Sequence, residues 1–314
     1  MKIVILDYAT IENGDLSPLN ELSPNITTFD NTLQSQVVER CQGFDVVITN
    51  KVVLNQEALT QLSSVKLICI AATGTNNVDL VAAKQQGIAV TNVAGYSTAS
   101  VVQHTFALLF NLLGNTHNYI TDCKSGQWQK AQHFCFLDHS INEVAGLKMA
   151  LIGYGDLGSA VAKAASAFGI DVLISERKNS PVRDGRVAFE DALKRADIIS
   201  IHCPLNADTE NLISTNEFAL MKPTAVLINT ARGGIVNESA LANALINKKI
   251  AGAATDVLSK EPAEQSNPLI QYKGDNLLLT PHIAWASNQS ISRLIKQIAL
   301  NITAFQEGQM RNRV

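Results

Sequence analysis

The run Leu147-Lys148-Met149-Ala150-Leu151-Ile152-Gly153-Tyr154-Gly155-Asp156-Leu157-Gly158 constrains this chain more than any other segment. A short apolar stretch delivers the backbone into glycines at i, i+2 and i+5, and an amphipathic stretch follows at once. That order suits a diphosphate held at a helix N-terminus. Gly153 permits the tight turn, Gly155 lets the backbone approach the phosphates, and Gly158 lets the helix pack close to the strand. Asp156 and Leu157, at the helix start, would present backbone donors to the pyrophosphate. A second strand-like run, Asp171–Ser175, ends at Glu176, close to the ~20-residue offset of a ribose-binding carboxylate. A glycine turn alone is a weak signal; set between strand and helix with an acid at that distance, it points to dinucleotide binding.

A chain of 314 residues favours two domains over one. With 46% hydrophobic and 17% charged residues it can bury a sizeable core and carries no signature of bulk disorder. The net charge of -3, with no basic stripe, argues against a nucleic-acid partner. Asp7 interrupts the first apolar run too early for a signal peptide. The stretch from Val93 to Leu113 lacks formal charges, but Gly95, Ser97, Thr98, Ser100, Gln103 and His104 break it up, so it reads as a buried helix rather than a membrane span. The five cysteines, Cys41, Cys69, Cys123, Cys135 and Cys203, are scattered without a C-x-x-C pair. No disulfide framework and no metal site are expected, and a cytoplasmic location fits.

The alternation of elements predicts parallel sheets with helices on both faces. In the first third, strands are expected at Ile3–Leu6, Val46–Thr49, Leu67–Ile70 and Ile88–Thr91, and helices at Leu33–Cys41, Gln56–Leu62 and Val78–Gln86. One long helix, apolar nearly all round, is expected from Ser97 to about Cys123, bridging domains or meeting a partner subunit. Lys124–Glu143 reads as an irregular loop. Strands follow at Lys148–Ile152, Asp171–Ile174, Ile198–Ile201, Ala225–Asn229, Ile250–Ala254 and Asn276–Leu279. Helices are expected between them at Leu157–Phe168, Phe189–Arg195, Thr215–Leu220 and Glu238–Asn247. A final helix, Ser287–Gln306, places Ile291, Leu294, Ile295, Ile298 and Ile302 on one side and is expected to return to the N-terminal domain.

Several segments, in order and spacing from about residue 40 to residue 300, resemble the D-isomer-specific 2-hydroxyacid dehydrogenase family. They are Ala72-Thr73-Gly74-Thr75-Asn76-Asn77-Val78-Asp79, the glycine loop, His202-Cys203-Pro204, Ile228-Asn229-Thr230-Ala231-Arg232-Gly233-Gly234, Thr255-Asp256-Val257, Glu261-Pro262 and Thr280-Pro281-His282-Ile283-Ala284-Trp285. Ser175-Glu176-Arg177-Lys178 and Pro281–Ser287 resemble the glycerate dehydrogenase (hydroxypyruvate reductase) branch. The resemblance implies two doubly wound α/β parallel-sheet domains, one flavodoxin-like and one a Rossmann NAD-binding domain, with the active site in the cleft. It implies a discontinuous substrate domain of residues 1–97 and 287–314, a cofactor domain of 98–286, and a homodimer paired through the latter. Phosphoglycerate and D-lactate dehydrogenases are alternatives within the family. A corepressor-like NAD-sensing protein is the alternative outside enzymes.

Reduction of a 2-keto acid needs a group to hold the carboxylate, one to polarise the ketone and one to supply a proton. Arg232, following a strand and preceding two glycines, should project from the sheet's carboxyl edge. From spacing alone it is equally a surface arginine; the family motif favours gripping the carboxylate and polarising the carbonyl. His282, after the last strand, suits the general acid of reduction and base of oxidation. Glu261, otherwise an ordinary loop glutamate, would stabilise its imidazolium. Backbone N–H groups of Thr73, Gly74 and Thr75 can bind the substrate carboxylate from the side opposite Arg232. By resemblance Thr73, Thr230, Ala231 and Asp256 approach the nicotinamide half of the cofactor, and Cys203, Pro204 and Thr209 the adenosine. Trp285 either walls the substrate pocket or simply packs. Glu176 departs from the family's commoner aspartate and favours NAD, although Arg177 and Lys178 could pair with the 2′-phosphate of NADP, the less favoured cofactor. His202 supports its strand edge. His104, His117, His133 and His139 are assigned nothing, since the sequence shows no acidic partner for them.

Overall fold

The computed structural model describes all residues, 1–314, and divides them into two compact units, Met1–Ser97 with Ala286–Val314, and Thr98–Trp285. Each unit is built on one all-parallel sheet. Parallel strands need crossover helices on both faces, so their interior strands are apolar throughout rather than alternating.

In the first unit the strands are β1 (Ile3–Ile5), β2 (Ile26–Thr28), β3 (Val46–Thr49), β4 (Leu67–Ile70) and β5 (Ala89–Thr91), in the order β2-β1-β3-β4-β5. That is the doubly wound flavodoxin-like order. One face buries Val4, Val47, Ile68 and Val90 with Val37, Leu59 and Ala82. The long helix Asn288–Gln306 contacts β4 and the short helix Ser17–Asn20, burying Ile291, Leu294, Ile295, Ile298 and Ile302. Ser287 caps it, its hydroxyl accepting from the Ser290 N–H at 3.2 Å. The sequence did not suggest β2: Ile-Thr-Thr is a half-exposed edge strand with too few residues for a period. Asp7, the acid that ends the first apolar run, is buried and accepts the N–H groups of Asn50, Lys51 and Val52 at 2.6–3.2 Å.

In the second unit β6 (Lys148–Ile152), β7 (Asp171–Ile174), β8 (Ile198–Ile201), β9 (Val226–Asn229), β10 (Gly252–Thr255) and β11 (Leu277–Leu279) lie in the order β11-β10-β9-β8-β6-β7. An isolated parallel bridge, Ser175 to Val187, extends the edge beyond β7. This is a Rossmann-type sheet whose chain order reverses beside β6, where such sheets open a ligand crevice at their carboxyl ends. One face packs Phe189, Leu193, Leu241 and Leu245 against Ile199, Leu227 and Ala253. The other packs Phe106, Leu109, Val161 and Ala165 against Met149, Leu151, Ile198 and Ile228.

The charge-free helix is Thr98–Gly114, lying on the helix Asp156–Ala167 and on β9, β10 and β11. Its apolar perimeter covers this sheet. The expected single helix to Cys123 is in fact two, because Asn115 takes φ 48° and a separate helix runs Thr116–Lys124. No helix is long and apolar enough to cross a membrane. Replacing Asp7 by Ala should lower the unit's stability by about 2–4 kcal/mol, since buried N–H groups lose a charged acceptor, and Asp7→Asn by less. Urea unfolding would measure both, and equal midpoints for Asp7→Ala and the parent would refute the tether.

Candidate active site

The glycine loop has the geometry its spacing predicts. Gly153 sits at φ 97°, and a Cβ there would lie 2.5 Å from the Cys203 nitrogen. A Cβ on Gly158 would meet the Gly153 carbonyl at 2.2 Å, so helix and turn are in van der Waals contact. A Cβ on Gly155 would meet nothing within 4 Å. The open side of the loop is therefore the side facing the start of the helix Asp156–Ala167, whose first N–H groups have no partner within the helix. These residues fit a diphosphate cradled by backbone. His202 is buried beside the loop, its Nε2 2.8 Å from Ser200 Oγ, and burial pulls its ring down to about 4. It is neutral at pH 7 and props the β8 edge. Burial pushes the Cys203 thiol up to about 11, so it is inert packing. Thr209 closes the following turn by donating to the Pro204 carbonyl at 2.6 Å.

Arg232, Glu261 and His282 come from the turns after β9, β10 and β11, three neighbouring strands whose ends pair as Asn229 with Thr255 and Thr255 with Leu279. Asn229 shapes the first turn: its amide donates to the Arg232 carbonyl at 2.9 Å and accepts from the Ala231 N–H at 3.0 Å. The Arg232 side chain is exposed and donates to the Ala231 carbonyl at 2.7 Å. Gly233 then lies so close to the second turn that a Cβ would sit 1.9 Å from the Leu258 carbonyl oxygen. Only a glycine lets these two turns touch. In the second turn one oxygen of Glu261 accepts the Leu258 N–H at 2.9 Å, and the other lies 2.6 Å from His282 Nδ1. With Nδ1 committed to that carboxylate, Nε2 is the ring nitrogen left to exchange a proton.

The His282 turn is held from below by Asp256. His282 itself has φ 55°, uncommon for a side-chain-bearing residue, so its surroundings must enforce it. Its N–H donates to the Asp256 carbonyl at 2.8 Å. The buried Asp256 carboxylate accepts the N–H groups of Ile283 and Ala284 at 2.9 and 2.8 Å and the Thr280 hydroxyl at 2.6 Å. Burial pushes its pKa up, but the nearby His104 ring together with these hydrogen bonds outweighs that and lowers it. Trp285 folds back, its indole N–H donating to the His282 carbonyl at 2.9 Å. Thr230 is buried with its hydroxyl 3.1 Å from that of Thr105.

Two histidines need correction. His104 Nε2 lies 3.0 Å from Thr280 Oγ1 and 3.5 Å from Asp256, so it has the acidic partner the sequence did not suggest. His139 pairs with Asp122 at 2.7 Å. Both partners are brought in by folding, and nothing at short range announces them. In the first unit, the Thr73 hydroxyl donates to the Val93 carbonyl at 3.0 Å and Asn92 donates to the Thr73 carbonyl at 2.7 Å. The turn Thr73–Thr75 is pinned there, and what it can present to an anion is backbone N–H. Glu176 lies at the end of the β7 edge as expected, but it is gripped by Arg183, a residue the sequence did not single out.

The model of the D-isomer specific 2-hydroxyacid dehydrogenase NAD binding domain matches residues 106–284. This chain belongs to that family. It is 41% identical to the glycerate dehydrogenase of Methylorubrum extorquens over 88% of this chain and 87% of that protein. It is 34% identical to the hydroxypyruvate reductase of Blautia hydrogenotrophica over 98% of each. Among solved structures, the NAD-complexed D-isomer specific 2-hydroxyacid dehydrogenase of Lactobacillus delbrueckii ssp. bulgaricus aligns over 100% of both chains with a TM-score of 0.76 and 27% identity. The second unit is thus the NAD-binding domain of an NAD-dependent oxidoreductase acting on CH–OH groups.

Replacing Asp256 by Ala strips three donors of their acceptor and frees the His282 turn. Turnover should fall about 10²-fold, the scale on which small misplacements cost rate. Steady-state kinetics at saturating NADH checks this, and full turnover in the variant would detach the turn from the chemistry.

Proposed function

We propose that this chain is a D-glycerate dehydrogenase that reduces hydroxypyruvate, and glyoxylate as a smaller substrate, in the cytoplasm as a homodimer. The observation that carries the reading is the contact of Glu261 with His282 Nδ1 at 2.6 Å, one strand end away from Arg232. The glycine loop Gly153–Gly158 would hold NADH, which when bound would supply the hydride. Arg232 grips the keto-acid carboxylate through its planar fork and draws electron density toward the ketone oxygen. His282 delivers the Nε2 proton to that oxygen as it becomes an alkoxide. Glu261 holds Nδ1 and keeps the ring correctly turned until then. In oxidation the same nitrogen takes the proton back.

The named relatives support the three-carbon hydroxyacid. So does charge: the other cation in these strand-end turns, Lys260, pairs with Glu264, leaving no cluster to receive a substrate phosphate. Trp285, anchored to the His282 carbonyl, is placed to limit substrate size. For the dimer, Trp128, Phe134, Leu137 and Ile141 lie exposed along the loop 125–145, with Phe134 at 90%. An apolar series of that extent calls for a covering surface. Cysteines that are all free, with burial pushing Cys41 and Cys69 up to about 12, suit a reducing compartment.

NADH consumption measured in parallel with hydroxypyruvate, glyoxylate, pyruvate and 3-phosphohydroxypyruvate should be fastest with the first two. His282→Ala should cut turnover about 10²–10⁴-fold, the usual worth of a positioned acid, with NADH affinity retained. Fastest turnover of the phosphorylated acid would overturn the substrate; near-normal turnover in the variant would remove His282 as the acid.

A further inference from the structure

The turn that carries Glu261 is held by a carboxylate from a different element. Glu238 is the first residue of the helix Glu238–Ile246, six positions beyond Arg232. Asn237 already caps that helix, its side chain accepting the Ala240 N–H at 2.9 Å, so the Glu238 carboxylate is not needed as the cap. It reaches instead to the segment after β10. One oxygen accepts the Ser259 N–H at 2.6 Å. The other accepts the Ser259 hydroxyl at 2.9 Å and the Asn267 side-chain amide at 2.8 Å. Bonds to an ionised acceptor are the stronger kind, and this one carboxylate gathers three.

The placement of those donors gives the contact its reach. Ser259 and Asn267 stand at the two ends of the loop 259–267, which contains Glu261, so Glu238 closes that loop at its mouth. The far end is itself fixed, because the buried Asn267 side chain accepts the Leu269 N–H at 2.9 Å and caps the helix Pro268–Gln271. At the near end, the Ser259 N–H belongs to the peptide group that abuts Gly233. A Cβ on Gly233 would lie 2.0 Å from the Leu258 carbonyl carbon and 2.5 Å from the Ser259 nitrogen. Backbone contact limits this peptide on one side, and Glu238 holds its N–H. Leu258 in turn donates its own N–H to one Glu261 oxygen at 2.9 Å, and the other Glu261 oxygen lies 2.6 Å from His282 Nδ1. Glu238 is thus joined to the His282 ring through Ser259, Leu258 and Glu261.

We propose that Glu238 is a positioning residue for keto-acid reduction, which anchors the peptide between Leu258 and Ser259 and thereby sets Glu261 against His282. Lying in the same segment as Arg232, it also ties the Glu261 turn to the turn that carries the guanidinium. It acts through Glu261 and not on the substrate or NADH. This rests on the reading that Glu261 holds the His282 ring for proton transfer.

A double-mutant cycle on the full chain tests it, with parent, Glu238→Ala, Glu261→Gln and the double variant. Hydroxypyruvate reduction is followed from about pH 5 to about pH 10, and NADH affinity by fluorescence titration. Glu238→Ala should lower kcat about ten-fold and alter the pH profile in the same direction as Glu261→Gln, with the NADH dissociation constant within about two-fold of the parent. The double variant should be within about two-fold of Glu261→Gln alone, because the second change removes the group through which the first acts. Glu238→Gln keeps an acceptor for the Ser259 N–H and should stay closer to the parent than Glu238→Ala does. Losses that multiply in the double variant overturn the proposal, as does a parental kcat in Glu238→Ala beside a slow Glu261→Gln. Weakened NADH binding in step with kcat in Glu238→Ala also overturns it, since that marks general loosening of the unit. A parental rate and pH profile in Glu261→Gln itself would instead overturn the reading of Glu261 on which the proposal stands.

Discussion

The buried carboxylate of Asp256 is the constraint on which the site depends. Three donors from the turn 280–284 converge on it, and the His282 N–H reaches its backbone carbonyl. Without them, the left-handed conformation of His282 would relax toward commoner backbone angles, at a cost difference of order 1–3 kcal/mol. The imidazole would then leave Glu261. His104, from the helix on the sheet's face, adds a fourth group to the same cluster through Thr280. The His282 imidazole, on an exposed turn, is thus fixed by polar groups sunk into the end of the sheet, which is how a loop residue gains the precision of a strand.

The turns meet because the strands are in register and because one position has no side chain. Asn229, Thr255 and Leu279 line up across β9, β10 and β11, so each following turn starts at the same edge. Strand spacing of ~4.8 Å then sets the lateral interval between Arg232, Glu261 and His282. Gly233 closes the remaining gap against Leu258, three residues before Glu261. The same edge, on the other side of β8, carries the glycine loop.

Much of this was legible in the sequence because parallel strands buried on both faces leave unbroken apolar runs. β3, β4, β6, β7 and β8 have the limits their composition predicts. Arg232, Glu261 and His282 were legible through their motifs, each a few residues past such a run. What escaped were features decided by tertiary contact. Asn115, left-handed directly after Gly114, ends one helix and starts another within a run whose flanking residues favour helix. β2 is an edge strand whose two threonines are exposed. His104 and Asp256 are 152 positions apart and meet only on the folded sheet. Arg183 lies seven residues beyond Glu176 across a turn with no regular period, so nothing local assigns it to that carboxylate.

Two of the carboxylate–cation pairs of the NAD-binding unit are built differently. Arg183 covers the Glu176 carboxylate, whereas Glu261 binds His282 through Nδ1 and leaves Nε2 out of that contact. The most direct test of the second arrangement is Glu261→Gln, which keeps an acceptor for Nδ1 but removes the charge. Turnover for hydroxypyruvate reduction and for glycerate oxidation would be followed from about pH 5 to about pH 10 in parent and variant. In the parent, reduction should decline and oxidation rise with pH. In the variant, reduction near neutrality should drop about 10²-fold or more while NADH still binds. Unchanged rates and unchanged pH profiles in Glu261→Gln would contradict the account.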